Sequence, residues 1–411
     1  AGTRNLVRRY HAESARFADQ SRRAVRYAKA RSSDRILDFL AALGTTESRA
    51  VREVVPPAYV PREKRARFRV AFVTSNGAGM GHLTRLLAMA RRRPEEIEPV
   101  VISLSQAVPV VAKFGFPYVY IASKNETGMS PAAWNAYSEA RFREEFALLK
   151  PDVLIFDGTW PYRGLLNAAA AEGVRMVGAR RGMWRETVAD RALSAAVNFE
   201  GGIQPGEFSA ELDKGAPTRM DDSYKVAPLT ILDRSELLSR EEARERLGLN
   251  PGERGVLVTL GAGNLNNISD TTSVVVQALK ELGPPWRIFL TNNPIAAGVT
   301  AFDGVDSLDI YPIVEYANAF DFTVSATGYN SFHEWIMACI PTLWIPNLQT
   351  QTDDQGARSR YAELVGVGAN VEEPSFENVS GALAAMTEPG VLEDMRSRLE
   401  KLWVDNGAAD A

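Results

Sequence analysis

The stretch FDFTVSATGYNSFHEWIMACIPTLWIPNLQTQTDDQGAR, residues 320–358, sets one helical segment between two β-rich apolar runs. Phe320–Ser325 reads as a strand by its β-branched and aromatic content, and Thr327-Gly328 as the turn that follows. Ser331 is expected to open a helix that carries Glu334 and ends before Pro341, because proline drives the residue before it out of helical geometry. Leu343–Ile345 is a second buried strand, and Gln349–Gln355 is a polar loop at its carboxyl end. Ligands of parallel α/β sheets sit outside the carboxyl ends of the strands. Both such ends here carry polar groups suited to a sugar nucleotide: hydroxyls and an amide at a helix start, a carboxylate, and an Asp-Gln pair.

Within this stretch, Gly328-Tyr329-Asn330-Ser331, Glu334, Pro341, Pro346 and Asp354-Gln355 resemble the C-terminal signature of inverting, two-domain (GT-B) glycosyltransferases. The likeness spans plant-type UDP-glycosyltransferases and the bacterial lipid II-forming N-acetylglucosaminyltransferase. In the plant-type signature a histidine contacts the diphosphate; Ala326 stands in that place here, so the chain lies closer to the bacterial pattern. The resemblance implies an α/β protein of GT-B architecture, with two facing Rossmann-like domains. It implies transfer of a sugar from a nucleotide-diphosphate donor, a UDP-sugar by preference, to a hydroxyl-bearing acceptor, without metal or cofactor.

The rest of the chain reads as α/β. Phe68–Thr74 is an apolar strand, Ser75–Gly81 a glycine-rich turn, and His82–Ala90 the helix after it. Further β-rich runs at Val100–Leu104, Tyr118–Ile121, Val153–Phe156 and Met176–Ala179 alternate with helical stretches, the pattern of a parallel sheet. From Ile203 to about Ser223 the chain is rich in Gly, Pro and charge and reads as loop. Ser239 and Glu242 have the spacing of a capping box, and the helix they start runs to Gly248. Gly255–Leu260 opens a second sheet, with Gly261-Ala262-Gly263 as its turn. The expected division is 1–66 basic helical segment and linker, 67–225 acceptor domain, 226–390 nucleotide-sugar domain, and 391–411 returning to the first domain.

With 411 residues, 45% hydrophobic and 24% charged, the chain can form two ordinary domains plus an appendage. No apolar run is long enough for a membrane span or a signal-peptide core, so the expected location is cytoplasmic. One cysteine, Cys339, excludes an internal disulfide, and three histidines make a histidine-rich metal site a poor reading. Net charge is −4, yet residues 1–68 alone carry 16 Lys/Arg against 7 Asp/Glu. That basic segment reads as an amphipathic helical hairpin docked on the main body, or as a contact for an anionic membrane surface or a partner subunit through residues 1–55. No nucleic-acid motif accompanies the charge.

The turn Gly77-x-Gly79-x-Gly81 lacks the Gly-Lys-Ser/Thr of a P-loop, and the next strand ends in Ser105 rather than a ribose-binding acid. His82 follows the turn directly. Inverting members of the resembled family carry a histidine there as general base, a role suited to imidazole, which ordinarily titrates at about pH 6.5. Asp157 ends a strand and, by the same resemblance, would hold the far side of the ring; alone it would read as a turn aspartate. For the donor, Gly328, Asn330 and Ser331 at a helix start and Gly261, Gly263 and Asn264 are candidate diphosphate contacts. Ile313 is a candidate for the base, Glu334 for the ribose and Asp354 with Gln355 for the sugar. Ser331 and Glu334 also have capping-box spacing, a purely structural alternative. On the acceptor side, Gly79, Gly81, Trp160, Arg181 and Trp184 are candidates, the arginine for a phosphate or carboxylate. Two rivals remain: a sugar-nucleotide 2-epimerase of the same fold, and a non-catalytic sugar-nucleotide-binding subunit.

Overall fold

A computed structural model describes residues 68–75, 80–188, 193–219, 223–261, 269–292 and 302–411. The basic segment 1–66 and residues Gly79, Gly263 and Asn264 lie outside those residues. Among the described residues no helix is long and apolar enough to cross a membrane.

The first sheet holds β1 (Phe68–Thr74), β2 (Ile97–Ser103), β3 (Tyr118–Tyr120), β4 (Val153–Asp157), β5 (Arg175–Ala179), β6 (Gly201–Pro205) and β7 (Ser223–Val226). All its pairings are parallel and the order is β3-β2-β1-β4-β5-β6-β7. β1 is apolar almost throughout because a sheet covered by helices on both faces buries both sides of its central strand. The helices that matter for the site are α1 (Gly81–Arg91), α2 (Pro131–Leu149) and α3 (Arg163–Glu172). Gly164 lets α3 lie directly on α2: a Cβ there would sit 2.6 Å from the Asn135 carbonyl oxygen.

The loop expected over 203–223 is corrected at its two ends, where residues 203–205 belong to β6 and Ser223 opens β7; the described residues between them hold only short 3-10 turns. Two glycines and a proline within five residues give β6 almost no strand propensity. Its backbone is nevertheless paired on both sides, to β5 and to β7, and that tertiary pairing overrides propensity.

Past β7, α4 (Arg240–Leu247) starts on the expected capping box of Ser239 and Glu242 and ends at Gly248, which is left-handed at φ 67°. The second sheet comprises β8 (Arg254–Thr259), β9 (Trp286–Thr291), β10 (Val305–Leu308), β11 (Phe322–Ser325), β12 (Thr342–Trp344) and β13 (Gly368–Asn370). It too is all parallel, in the order β10-β9-β8-β11-β12-β13. Its helices are α5 (Ser269–Glu281), α6 (Tyr329–Met337), α7 (Gln355–Leu364), α8 (Phe376–Thr387) and α9 (Val391–Leu402). After α9 the chain reaches the segment between the domains, where the Asn406 side chain donates to Thr230 O at 2.9 Å and Gly407 N to Pro228 O at 3.0 Å.

In each sheet the strand order reverses at one place: between β1 and β4 in the first, between β8 and β11 in the second. Open α/β sheets leave a crevice at such a switch point. The loops and helix starts that matter here, Gly81–His82, Asp157, Gly261 and Gly328–Ser331, all follow these strands. One buried apolar cluster joins the domains at this level, with Leu83 and Leu86 of α1 on one side and Phe320, Tyr329 and Phe332 on the other.

Candidate active site

His82 is the second residue of α1 and Asp157 the last of β4, so the two switch-point strands deliver them to one place. His82 Nδ1 lies 2.7 Å from Asp157 Oδ1. We assign the Nδ1 proton to this pair, since a carboxylate oxygen can only accept at that distance; Nε2 is then the ring nitrogen left for a substrate, on a side chain that is 26% exposed. Asp157 is almost fully buried. Burial alone would raise its carboxyl, but Arg85 and His82 pull it down to about 2. Arg85, one helical turn after His82, holds the carboxylate with both arms of its guanidinium: Nε to Oδ2 at 2.8 Å and Nη2 to Oδ1 at 2.8 Å. The sequence reading missed Arg85, although its i, i+3 spacing from His82 places both on one face of α1.

Across the crevice, the start of α6 corrects the sequence reading. The helix begins at Tyr329 with Gly328 as N-cap, two residues earlier than expected, so Ser331 lies inside the first turn and forms no capping box with Glu334. The cause is Tyr329, whose buried hydroxyl donates to Gly206 O at 2.9 Å and accepts from Leu229 N at 3.1 Å, fixing the chain before Ser331 is reached. Glycine offers no side-chain cap, and α1 likewise starts without one at Met80. The two helix starts adjoin, for Asn330 Nδ2 donates to Gly81 O at 3.2 Å. Two amino-terminal dipole ends with uncapped N–H groups thus meet beside His82, and Asn330 Oδ1 is buried without a hydrogen-bond partner.

Glu334, in the second turn of α6, lies close to Tyr311 and receives the backbone N–H of Ile231. Burial pushes its carboxyl up to about 7, against the pull of that N–H. Ile313 begins the short 3-10 helix Ile313–Ala319 just after Tyr311, whose hydroxyl is 2.9 Å from Thr84 Oγ1 on α1. Gly261 is left-handed at φ 98° and exposed, with open space where a Cβ would point. Trp160, at the carboxyl side of β4, is 43% exposed.

The polar loop after β12 is arranged otherwise than a free sugar-binding loop. Asp354 caps α7 by accepting from Ala357 N at 3.0 Å, and Gln355 Oε1 accepts from Asn347 N at 3.0 Å. Asp353 joins a buried ion cluster that crosses between the domains. Its Oδ1 is 2.7 Å from both Arg181 Nη1 and Arg358 Nη1. Arg358, fully buried on α7, also donates to Glu207 Oε2 through Nε at 3.0 Å and Nη2 at 2.9 Å. His333 on α6 completes the group, with Nε2 2.9 Å from Glu207 Oε1 and Nδ1 donating to Tyr329 O at 2.6 Å. Trp184 is buried and bridges Asp353 backbone to backbone. Arg181 and Trp184, candidates for the acceptor, are therefore engaged in holding the two domains together. Glu207 and Arg358 went unread in the sequence because each makes sense only beside the other, and they lie on different domains.

No protein-family model matches the chain, and no curated protein does. Solved structures do. The glycotransferase of kitacinnamycin aligns over 84% of this chain and 97% of its own, with TM-score 0.56 and 16% identity. MurG of Acinetobacter baumannii aligns over 83% and 97%, with TM-score 0.53 and 14% identity. A structure titled as a putative UDP-N-acetylglucosamine 2-epimerase from Listeria monocytogenes aligns over 84% and 94%, with TM-score 0.56 and 13% identity. These likenesses establish the architecture expected from the sequence, two facing Rossmann-like domains of the GT-B kind.

Proposed function

We propose that the chain is an inverting, metal-independent glycosyltransferase that moves a sugar from a nucleoside-diphosphate donor, by preference a UDP-sugar, to an acceptor hydroxyl. The observation that carries this reading is the His82–Asp157 pair facing the uncapped start of α6 across the crevice. One side offers a base, the other donors for an anionic leaving group. Two of the solved relatives are titled as a glycotransferase and as MurG, which agrees with it.

In this mechanism His82 Nε2 takes the proton of the acceptor hydroxyl as its oxygen bonds to the anomeric carbon from the face opposite the leaving group. The bond from that carbon to the diphosphate oxygen breaks, and the nucleoside diphosphate leaves with the electron pair. Its charge is met by N–H groups at the starts of α6 and α1 and by Asn330 and Ser331 rather than by a cation. Asp157 holds the Nδ1–H tautomer and stabilises the imidazolium that forms. Gly261 and Gly328 border the diphosphate, Ile313 the base and Glu334 the ribose, while Trp160 borders the acceptor. Turnover is accordingly expected to continue in excess EDTA; a complete loss restored by magnesium or manganese would replace this leaving-group account.

Glu334 supplies a sharper check. Its carboxylate would accept hydrogen bonds from the ribose hydroxyls, contacts that contribute about 1.5–3 kcal/mol when charged. Glu334→Gln is expected to weaken UDP binding by roughly 10- to 100-fold, while affinity for 2′-deoxy-UDP changes less. A raised carboxyl binds its proton more tightly in the folded chain than in the unfolded one, so it subtracts stability as pH rises from 4.5 towards about 7. The Gln variant should therefore be the more stable protein at pH 8 without nucleotide. Calorimetry with both nucleotides and melting at pH 5 and pH 8 read the two effects, and an unchanged ribose preference would remove Glu334 from the site.

The 2-epimerase reading rests on the Listeria structure, which shares the fold equally well. A sugar nucleotide incubated alone and followed by proton NMR separates the two. A transferase leaves the configuration at C2 unchanged and releases nucleotide slowly to water; growth of the C2 epimer to equilibrium would make the chain an epimerase.

A further inference from the structure

The Asp157 carboxylate serves two partners, and the second has no part in the scheme above. Arg85 is 3% exposed, yet its guanidinium reaches both carboxylate oxygens, and its Nη2 lies 2.9 Å from His82 Nδ1. A guanidinium cannot accept a proton, and an Nδ1–H cannot accept one from it, so this last approach is a contact between two donors that converge on Asp157 Oδ1. The arrangement is held from all sides. Arg85 lies over the Tyr329 ring of α6 at 5.3 Å, and a Cβ on Gly81 would lie 3.7 Å from its Nη1. The charged groups around it are Asp157 at the end of β4, Asp353 before α7 and Arg181 after β5, with His82 on α1 and Tyr329 on α6 the titratable groups.

We propose that Arg85 is a positioning residue for proton transfer at His82: it fixes the carboxylate oxygen that accepts the hydrogen bond from Nδ1 and sets a permanent positive charge beside the ring that opposes the field of Asp157.

The physics lies in the competition of two charges over one ring. A buried aspartate beside an imidazole favours the imidazolium, which is useful after the proton has been taken but keeps the base occupied before it. A cation bonded to the same carboxylate offsets part of that field. Beside the field that is left, the aspartate supplies geometry: a fixed acceptor for the Nδ1–H of the ring. Asp157 thus orients His82, and Arg85 offsets part of the aspartate's field on the ring.

The catalytic meaning of this inference rests on the glycosyltransferase reading, but its test does not. The chain has three histidines, so ring signals can be assigned by replacing His11 and His333 one at a time and titrated by NMR in the full protein without substrate. In Arg85→Gln, which keeps a donor for Asp157 but loses the charge, the midpoint of the His82 signal is expected to move up by about one pH unit or more. Arg85→Lys, which keeps the charge, should stay within a few tenths of a unit of wild type. Asp157→Asn gives the reverse reading in a chain that retains Arg85: the midpoint should fall by about one unit or more, because the cation is then unopposed. Equal midpoints in wild type and Arg85→Gln, or no fall in Asp157→Asn, would overturn the proposal whatever reaction the protein performs. If turnover can be followed, the acid limb of kcat/KM should move with the NMR midpoint, a shift that a packing role for Arg85 would not produce.

Discussion

Replacing His82 with alanine is expected to lower sugar transfer by about 10²–10⁴-fold while leaving nucleotide affinity within a few-fold of wild type. The loss is large because the imidazole acts only as the acceptor proton moves, and Asp157 cannot replace it as base, being buried behind the ring and bound to Arg85. Asp157→Asn should cost less, since the imidazole that takes the proton is still present. Steady-state turnover of both variants, with the nucleoside diphosphate titrated in parallel, checks the split. Near-normal turnover in His82→Ala with a competent acceptor would remove His82 from the mechanism.

The second large effect falls on stability. Arg358→Met is expected to destabilise the protein by roughly 3–5 kcal/mol, the usual result of removing one partner from a buried ionic group, because Glu207 and Asp353 would each lose a partner. Burial by itself would raise the Glu207 carboxyl, but Arg358 and His333 hold it well below the ordinary range. A depressed carboxyl adds stability that is fully present above its unfolded value near 4.5 and is lost as pH falls through the folded one. The gap in melting temperature between wild type and variant should therefore be widest near neutral pH and close as the solution is acidified below 4.5. A pH-independent gap would mean that Arg358 acts through packing alone. Since the cluster joins loops of the first domain to α6 and α7 of the second, the variant is also expected to weaken domain closure around the crevice.

How legible these features were in the sequence follows from how local their causes are. The strands around His82 and Glu334 were readable because apolar runs, glycine turns and prolines act over a few residues: β1, β4 and β11 stand within a residue or two of their expected places. The capping box at Ser239 is equally local and is present as read. The start of α6 was misplaced because Tyr329 answers to Gly206 and Leu229, about a hundred positions away or more, rather than to its neighbours. β6 was invisible for the same reason, its strand character coming wholly from β5 and β7. Arg181 reads as a ligand for the acceptor because it is a charged group after the carboxyl end of a strand. Its partner is instead Asp353 of the other domain, and the sequence contains no sign of which charges will meet across an interface between domains. Arg85 is the instructive miss, since its spacing from His82 was in plain view but its meaning required Asp157 from the far side of the switch point.

The central claim is that the crevice between the two domains binds a nucleoside diphosphate beside His82. Isothermal calorimetry of wild type and His82→Ala against UDP, TDP, GDP and UMP tests it most directly. The account predicts that at least one nucleoside diphosphate binds both proteins with similar affinity in EDTA, and that UDP binds more tightly than UMP, which lacks the second phosphate for the helix starts to hold. Failure of every diphosphate to bind, or equal affinity for UDP and UMP, would contradict it.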